Sequence, residues 1–147
     1  MDILSIPFHR LLNIERIQND DDFIFQIEER PELHNHLGTF HACAQLTLAE
    51  ATSGEYLLQQ FREIKDVVVP VIRRTEVKYS MPANGILFSK ASFSSTSKQD
   101  FLKELETKNR CIISIKVEVF NTESKRTLSA VFDWVITIMP VRKSVLR

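Results

Sequence analysis

The feature that most constrains this chain is a long helical stretch, from Phe40 to Gly54, with an acid inside an apolar pattern. No proline or glycine interrupts it before Gly54, and its alanines and leucines are strong helix formers. We expect the helix to continue to about Phe61. A helix that is apolar nearly all round is normally buried, so the pattern predicts that Glu50 lies inside the protein. A buried carboxylate is costly unless it is paired, which favours either a polar network or a catalytic role for Glu50.

A polar loop from His34 to Thr39 precedes the helix. We expect Thr39 to be the N-cap, because a threonine hydroxyl can accept a hydrogen bond from a free amide of the first turn. Gly38 indicates a sharp turn or a backbone that another group approaches closely. Asn35 has two open interpretations: its side chain orients a water or a carbonyl in a site, or it stabilises the loop.

The string from Asn35 to Glu50 resembles the central-helix motif of hotdog-fold acyl-thioesterases of the phenylacetate-degradation type. The residues in register with that motif are Asn35, Gly38, Thr39, His41, Leu48 and Glu50. The chain departs from the motif at Ala42 and Cys43, where the family usually has two glycines. Among hotdog subgroups it is most similar to one that carries a glutamate and has no assigned activity.

The resemblance implies an acyl thioester hydrolase that acts on an acyl-coenzyme A or acyl-carrier substrate. Its catalytic residues would be Glu50, Asn35, Ala42 and His41. Glu50 would act as base or nucleophile, and the backbone amide of Ala42 would bind the oxyanion with help from the helix dipole. The side chain of Ala42 adds a methyl group where substrate approaches.

Candidate substrate-binding residues lie in the motif and on two of the predicted strands: Gly38, Thr39, Arg73, Arg74 and Lys90. We predict that the three cations bind the phosphates of coenzyme A. The alternative is that they are solvated strand charges that protect an edge.

The spacing within the helix predicts an oligomer. Glu50 lies eight residues after Ala42, about 12 Å along a helix that rises 1.5 Å per residue. One helix therefore cannot bring both groups to one carbonyl, whereas two antiparallel copies place the start of each beside the middle of the other. The resemblance implies the same arrangement, in a homodimer or homotetramer.

The order of elements in the rest of the chain predicts an α+β architecture, an antiparallel sheet wrapped around one long central helix, and the resemblance implies that this is a hotdog fold. We expect strands over residues 23–29, 67–81, 86–93, 111–120 and 127–138, with the second weakened or at an edge because of Pro70. A short helix should open at Ser97, which has capping-box spacing to Asp100. Residues 1–147 should form a single domain, in which residues 1–19 are a helical lead-in with its helix over 5–17.

Composition excludes several classes of function. The chain has 19 basic and 19 acidic residues and no net charge, which argues against binding to nucleic acid. No apolar stretch is long enough to span a membrane, and the N-terminus does not resemble a secretory signal. Cys43 and Cys111 are interpreted as buried, reduced side chains of a cytoplasmic protein.

The histidines near the motif raise two further possibilities. His34 and His36 lie in an irregular loop with no recognisable ligand spacing, so we assign no metal and no cofactor. His41 and Cys43 point about 200° apart on a helix, which excludes a nucleophilic pair within one chain.

Two alternatives to the hydrolase stay open. A non-catalytic hotdog protein that binds acyl thioesters or lipids would use Glu50 structurally, and Ala42-Cys43 in place of two glycines favours it. A hotdog dehydratase is the third hypothesis, although such enzymes arrange a histidine and an acid differently.

Overall fold

A computed structural model of the chain describes residues 2–20, 22–64, 67–94 and 97–139. Its helices are α1 (Pro7–Leu11), α2 (Ala42–Gln60) and α3 (Lys98–Lys108), with 3₁₀ turns at Ile3–Ser5 and Pro31–Leu33. Its strands are β1 (Glu15–Arg16), β2 (Phe25–Glu28), β3 (Val68–Tyr79), β4 (Ile86–Phe93), β5 (Arg110–Phe120) and β6 (Arg126–Ile138). The strands form one six-stranded antiparallel sheet in the order β1-β2-β4-β5-β6-β3. None of the described helices is long and apolar enough to cross a membrane.

The long helix α2 packs on one face of this sheet, as the predicted α+β hotdog class requires. Along β5 and β6, buried and less buried residues alternate, because successive side chains of a strand point to opposite faces. The buried set includes Leu48, Ala49 and Leu57 of the helix and Ile115 and Phe132 of the sheet. One hydrophobic core therefore holds the helix in place.

Hydroxyl groups add polar contacts to this core. The Thr52 hydroxyl lies 2.6 Å from that of Ser89, and both side chains are fully buried. The Ser53 hydroxyl accepts a hydrogen bond from the indole N–H of Trp134 at 3.2 Å. These partners satisfy the buried hydroxyl groups of Thr52 and Ser53.

The N-terminal lead-in differs from the predicted helix over 5–17. The helix begins at Pro7 after an N-cap at Ile6, and it ends at Leu11. Asn13 then adopts a left-handed conformation with φ of +55°. The chain can therefore turn into β1, a strand that the sequence did not predict and that pairs with β2.

The start of α2 also corrects a prediction. The helix begins at Ala42 and its N-cap is His41, whose Nδ1 accepts a hydrogen bond from the Cys43 amide at 3.1 Å. Thr39 does not cap it, because its hydroxyl lies in the preceding loop and accepts a hydrogen bond from Asn35.

Other boundaries agree closely with the sequence analysis. The strand over 86–93 is confirmed, and Ser97 caps α3, accepting a hydrogen bond from the Asp100 amide at 3.2 Å. The strand with Pro70 is β3, which lies at an edge of the sheet and pairs only with β6 among the described strands. Its register shifts between Ile72 and Arg74, which indicates a β-bulge.

Candidate functional site

The loop before α2 is organised by the side chain of Asn35. Its Oδ1 accepts hydrogen bonds from the amides of Leu37 at 2.8 Å and Thr39 at 3.2 Å. Its Nδ2 donates to the Thr39 hydroxyl at 3.0 Å and to the Phe40 carbonyl at 3.3 Å. Both hydrogens of the amide group are therefore used within the loop. The loop-stabilising interpretation of Asn35 is observed, and its catalytic role stays a prediction.

Gly38 forms the turn that the sequence predicted. Its φ of +70° lies in the left-handed region. Among the described residues, apart from the two chain neighbours of Gly38, no atom lies within 4 Å of the place that a Cβ would occupy. The conformation, rather than a close contact within the chain, therefore explains the glycine. The end of the loop is fixed by the amide of His41, which donates to the Leu33 carbonyl at 2.7 Å.

The first residue of α2 leaves a free donor at the surface. Ala42 is exposed, and within the described part of the chain its amide makes no hydrogen bond. The amides of Ala44 and Gln45 both donate to the His41 carbonyl, and His41 Nδ1 accepts from Cys43. The Ala42 N–H thus points from the positive end of the helix dipole without a partner, as an anion-binding group would.

Tyr79 lies beside this helix start, although the sequence analysis did not select it. Its hydroxyl donates to the Ala42 carbonyl at 3.1 Å. Burial raises the pKa of the phenol, and the nearby Cys43 contributes in the same direction. The alternation of side chains along β3 could have identified Tyr79, because it places this residue on the helix-facing side of the strand. Its partner on β6 is the buried Leu128.

The two cysteines have different environments, which corrects their common interpretation as core residues. Cys43 is exposed in the first turn of α2. Cys111 is buried, and burial, with a smaller contribution from Glu104, raises the pKa of its thiol to about 12. His41 contacts the backbone amide of Cys43, so the structure gives no sign of a histidine–thiol pair.

Glu50 is less buried than the helix pattern predicted. Its side chain is 38% exposed in the single chain. The carboxylate lies at a cavity of about 210 Å³ that is also lined by Leu57, Pro70 and Trp134. Its Oε2 is 3.5 Å from Nε2 of His9, a residue of α1 that the sequence analysis missed.

The three candidate phosphate-binding cations do not meet in the single chain. Arg74 forms ion pairs with Glu76 at 2.8 Å and with Asp133 at 3.9 Å. Lys90 lies on β4, which β5 and β6 separate from β3, and its ammonium lies over the rings of Phe23 and Phe120. Arg73 is exposed. The single chain therefore does not bring Arg73, Arg74 and Lys90 together in one phosphate-binding site.

Glu29 holds the loop of the motif to the turn after β3. Its Oε1 accepts hydrogen bonds from Nε2 of His34 at 2.8 Å and from the side chain of Asn84 at 3.1 Å. Its Oε2 accepts from the amide of Gly85. These donors, the Gly85 amide first, lower the pKa of the Glu29 carboxyl, although partial burial opposes them. His34 is thus a partner of Glu29, whereas His36 is exposed.

Comparison with known proteins places the chain among structures of one fold. A family model described as a domain of unknown function, DUF4442, matches residues 10–136. No curated protein sequence matches the chain at a significant level.

Three solved structures share the architecture. A protein of unknown function from Pseudomonas aeruginosa, PA5026, a probable thioesterase, has a TM-score of 0.78 at 15% identity over 92% of this chain and 91% of its own. Thioesterase HI1161 from Haemophilus influenzae has a TM-score of 0.72 at 14% identity over 96% and 90%. Protein BH2602 from Bacillus halodurans, solved with CoA, has a TM-score of 0.60 at 17% identity over 76% and 69%. These likenesses confirm the predicted hotdog fold.

The contacts of Glu29 predict a pH-dependent stability. A carboxyl whose pKa is lower in the folded state stabilises the fold above its unfolded pKa, and the contribution is lost as pH falls through the folded value. Glu29→Gln should lower the free energy of unfolding by about 1 to 3 kcal/mol near neutral pH, a typical range for hydrogen bonds to a charged group. Urea unfolding should show that this difference shrinks as the pH approaches about 4.

The matched control is Glu28→Gln, which changes the exposed neighbouring residue on β2. This variant should unfold close to the parent at each pH. If Glu29→Gln and Glu28→Gln shift the unfolding curve equally, Glu29 does not tie the two loops together.

Proposed function

The chain belongs to the family described as a domain of unknown function, DUF4442, and we propose that it is an acyl thioester hydrolase acting on acyl-coenzyme A. The observation that supports this best is the unpartnered amide of Ala42 at the start of α2. A second support is Glu50, an acid on the same helix that lines a largely apolar cavity. The pair supplies the two groups that thioester hydrolysis needs, an oxyanion donor and a base or nucleophile.

The amide of Ala42 is the proposed oxyanion donor. When the thioester carbon becomes tetrahedral, its oxygen gains negative charge, and a preorganised N–H at the positive end of a helix stabilises it. His41 contributes by capping the helix through its Nδ1 and its carbonyl, which occupies the neighbouring amides and leaves that of Ala42 free. His41 is therefore assigned a positioning role.

Glu50 is proposed to act on the substrate carbon in one of two ways. As a base, its carboxylate takes a proton from water while the water oxygen bonds to the carbonyl carbon. As a nucleophile, it bonds to that carbon itself and forms an anhydride that water then hydrolyses. In both routes the carbon–sulfur bond breaks, the thiolate gains a proton, and the products are a carboxylic acid and a thiol.

We propose that each site combines Glu50 of one subunit with Ala42 of another. Both residues lie on α2, eight positions and therefore about 12 Å apart along its axis. Strand β3 supports the pairing of two copies, because it is a sheet edge and exposes Val69 and Val71. A long exposed apolar edge strand is a template for pairing with another chain. Two-fold pairing there would set two α2 helices side by side.

Coenzyme A as the carrier rests on a relative rather than on this chain's own residues. The Bacillus halodurans protein was solved with CoA. Gly38 and Thr39 lie next to the helix start, where substrate would approach. A role for Arg73 in phosphate binding stays a prediction, whereas Arg74 and Lys90 have other partners within the chain.

A binding module without catalysis is the second candidate. The methyl group of Ala42 and the side chain of Cys43 are both exposed at the helix start, where the family motif has glycines. These two side chains reduce the space through which a substrate can reach the Ala42 amide. A protein of this kind would hold an acyl thioester at the same site and would not hydrolyse it.

Ala42→Pro removes the proposed oxyanion donor with little change to the fold. Proline is favoured at the first position of a helix, and the residue before it must be extended. His41 already has φ of −61° and ψ of 139°. The turnover number should fall by about 10²- to 10³-fold, the cost of losing one oxyanion donor. The measurement is release of free thiol from acyl-coenzyme A substrates of several chain lengths.

Ala42→Gly is the matched control, since it keeps the amide and removes the methyl group. It should hydrolyse at least as fast as the parent. An Ala42→Pro protein with the parental circular dichroism spectrum and parental turnover would exclude the amide from the reaction.

Glu50→Gln tests the acid. It keeps the shape of the side chain and removes the charge and the basic oxygen, so turnover should fall by about 10²-fold or more. Thioester binding should persist because the Ala42 amide is unchanged. Under the binding-module hypothesis, affinity and any trace hydrolysis would stay at the parental level. A folded Glu50→Gln protein with parental turnover would therefore lead us to reject the hydrolase mechanism.

Mixing the two inactive variants tests whether the site spans two subunits. A mixed dimer of Ala42→Pro and Glu50→Gln chains has one site with both groups intact and one with neither. After unfolding and refolding of an equal mixture, about a quarter of parental activity should return, as two-fold symmetry requires. Each variant refolded alone is the control. No recovery in a mixture shown to contain mixed dimers would contradict a shared site.

A further inference from the structure

His9 is a buried histidine in the lead-in that the proposed reaction does not yet use. The residue is 3% exposed and lies on α1, against the middle of α2. Both ring nitrogens have a polar neighbour. Nδ1 is 2.8 Å from the carbonyl oxygen of Ile3, and Nε2 is 3.5 Å from Oε2 of Glu50.

The contact with Ile3 fixes which nitrogen carries the proton. A carbonyl oxygen can only accept a hydrogen bond, so Nδ1 must donate. In the neutral ring Nε2 would then be a bare acceptor that faces the carboxylate of Glu50. Two acceptors at 3.5 Å repel unless a proton lies between them. A proton on Nε2 would remove this repulsion and give the Glu50 carboxylate a donor.

The surroundings decide where this proton resides. The carboxylate of Glu50 is partly exposed and therefore solvated, with a side chain that is 38% exposed. The remaining lining of their cavity is apolar, including Ile3, Ile6 and Trp134. Among the described residues that line this cavity, His9 and Glu50 are the ionisable ones. An imidazolium beside a carboxylate gives both groups a partner of opposite charge.

Other charged groups near these elements have separate partners. Glu55, the next acid along α2, is bound by Arg16 of β1 at 2.6 Å, and that contact raises the pKa of Arg16. Arg10, the neighbour of His9 on α1, is exposed. Glu50 therefore has His9 as its charged partner within the described part of the chain.

We propose that His9 is a positioning residue that orients the Glu50 carboxylate through a proton on Nε2. The inference rests on the proposed function, in which Glu50 reacts as a carboxylate. It gives the short helix α1 a role in the reaction, because α1 carries the cation that faces the acid. His9 does not contact the reacting carbon and acts only through Glu50.

Two substitutions separate the two contacts of His9. His9→Asn keeps a donor near the position of Nδ1, facing the carbonyl of Ile3, and empties the position of Nε2. His9→Gln places an amide donor near the position of Nε2, facing Glu50, without a charge. Turnover of His9→Asn should fall by about tenfold, within the 10²-fold that misplacement of a reacting group can cost. Its KM should stay near the parental value.

Rescue by His9→Gln gives a readout that a purely structural role would not change. His9→Gln returns a donor to the side that faces Glu50 but gives up the donor that faces Ile3, so it should recover part of the turnover that His9→Asn loses. Parental turnover in a folded His9→Asn protein would overturn the proposal.

The double variant distinguishes failure of this inference from failure of the proposed function. If His9 acts through Glu50, adding His9→Asn to Glu50→Gln should cause no further loss of turnover. A further tenfold loss would show that His9 acts independently of Glu50, and the proposal would be wrong. If Glu50→Gln alone keeps parental turnover, the hydrolase mechanism itself fails.

The tautomer of the neutral His9 ring gives a readout that does not depend on the stability of His9 variants. NMR of the ring nitrogens at high pH should show the proton on Nδ1, where the Ile3 carbonyl accepts it. A neutral ring with its proton on Nε2 would mean that Nδ1 does not donate to Ile3, and the proposal would be wrong.

Discussion

The packing of α2 against the sheet is the constraint on which the candidate site depends. Leu48, Ala49 and Leu57 are buried against the strands, and the Thr52–Ser89 contact adds a polar link across the same interface. A helix held in this way cannot slide or bend to suit a ligand. The separation of Ala42 and Glu50 is therefore fixed by helix geometry at about 12 Å. A mechanism that uses both groups on one carbonyl needs a second copy of the helix.

Much of the fold follows from local pattern, and the errors have local physical causes. The period of the strands and the uninterrupted helix depend only on neighbouring residues, so they were predicted. The N-cap was misassigned because Thr39 and His41 can both accept an amide hydrogen, and Asn35 already occupies the Thr39 hydroxyl. The short β1 was missed because it is defined by its pairing with β2 rather than by its own sequence.

The site was predicted in part, for a similar reason. The helix start and the acid lie in one continuous motif, so Ala42 and Glu50 could be selected. His9 and Tyr79 contact that motif from segments 41 and 37 positions away, and no local spacing reveals such contacts. The expected burial of Glu50 was wrong for the single chain, in which its side chain is 38% exposed. The phosphate-binding role of Arg74 stays a prediction, and the sequence did not indicate that Asp133 lies across from it on β6.

The partial exposure of Glu50 and the open edge of β3 have a common consequence. If a second copy pairs along β3, the uncovered face of α2 receives the start of the partner's helix, and water leaves the carboxylate. Electrostatic interactions strengthen as water is excluded. The attraction between Glu50 and the His9 imidazolium would then increase, as would that between an oxyanion and the Ala42 amide. Assembly would thus do more than bring two groups together, since it would create the environment in which the short lead-in helix orients the acid.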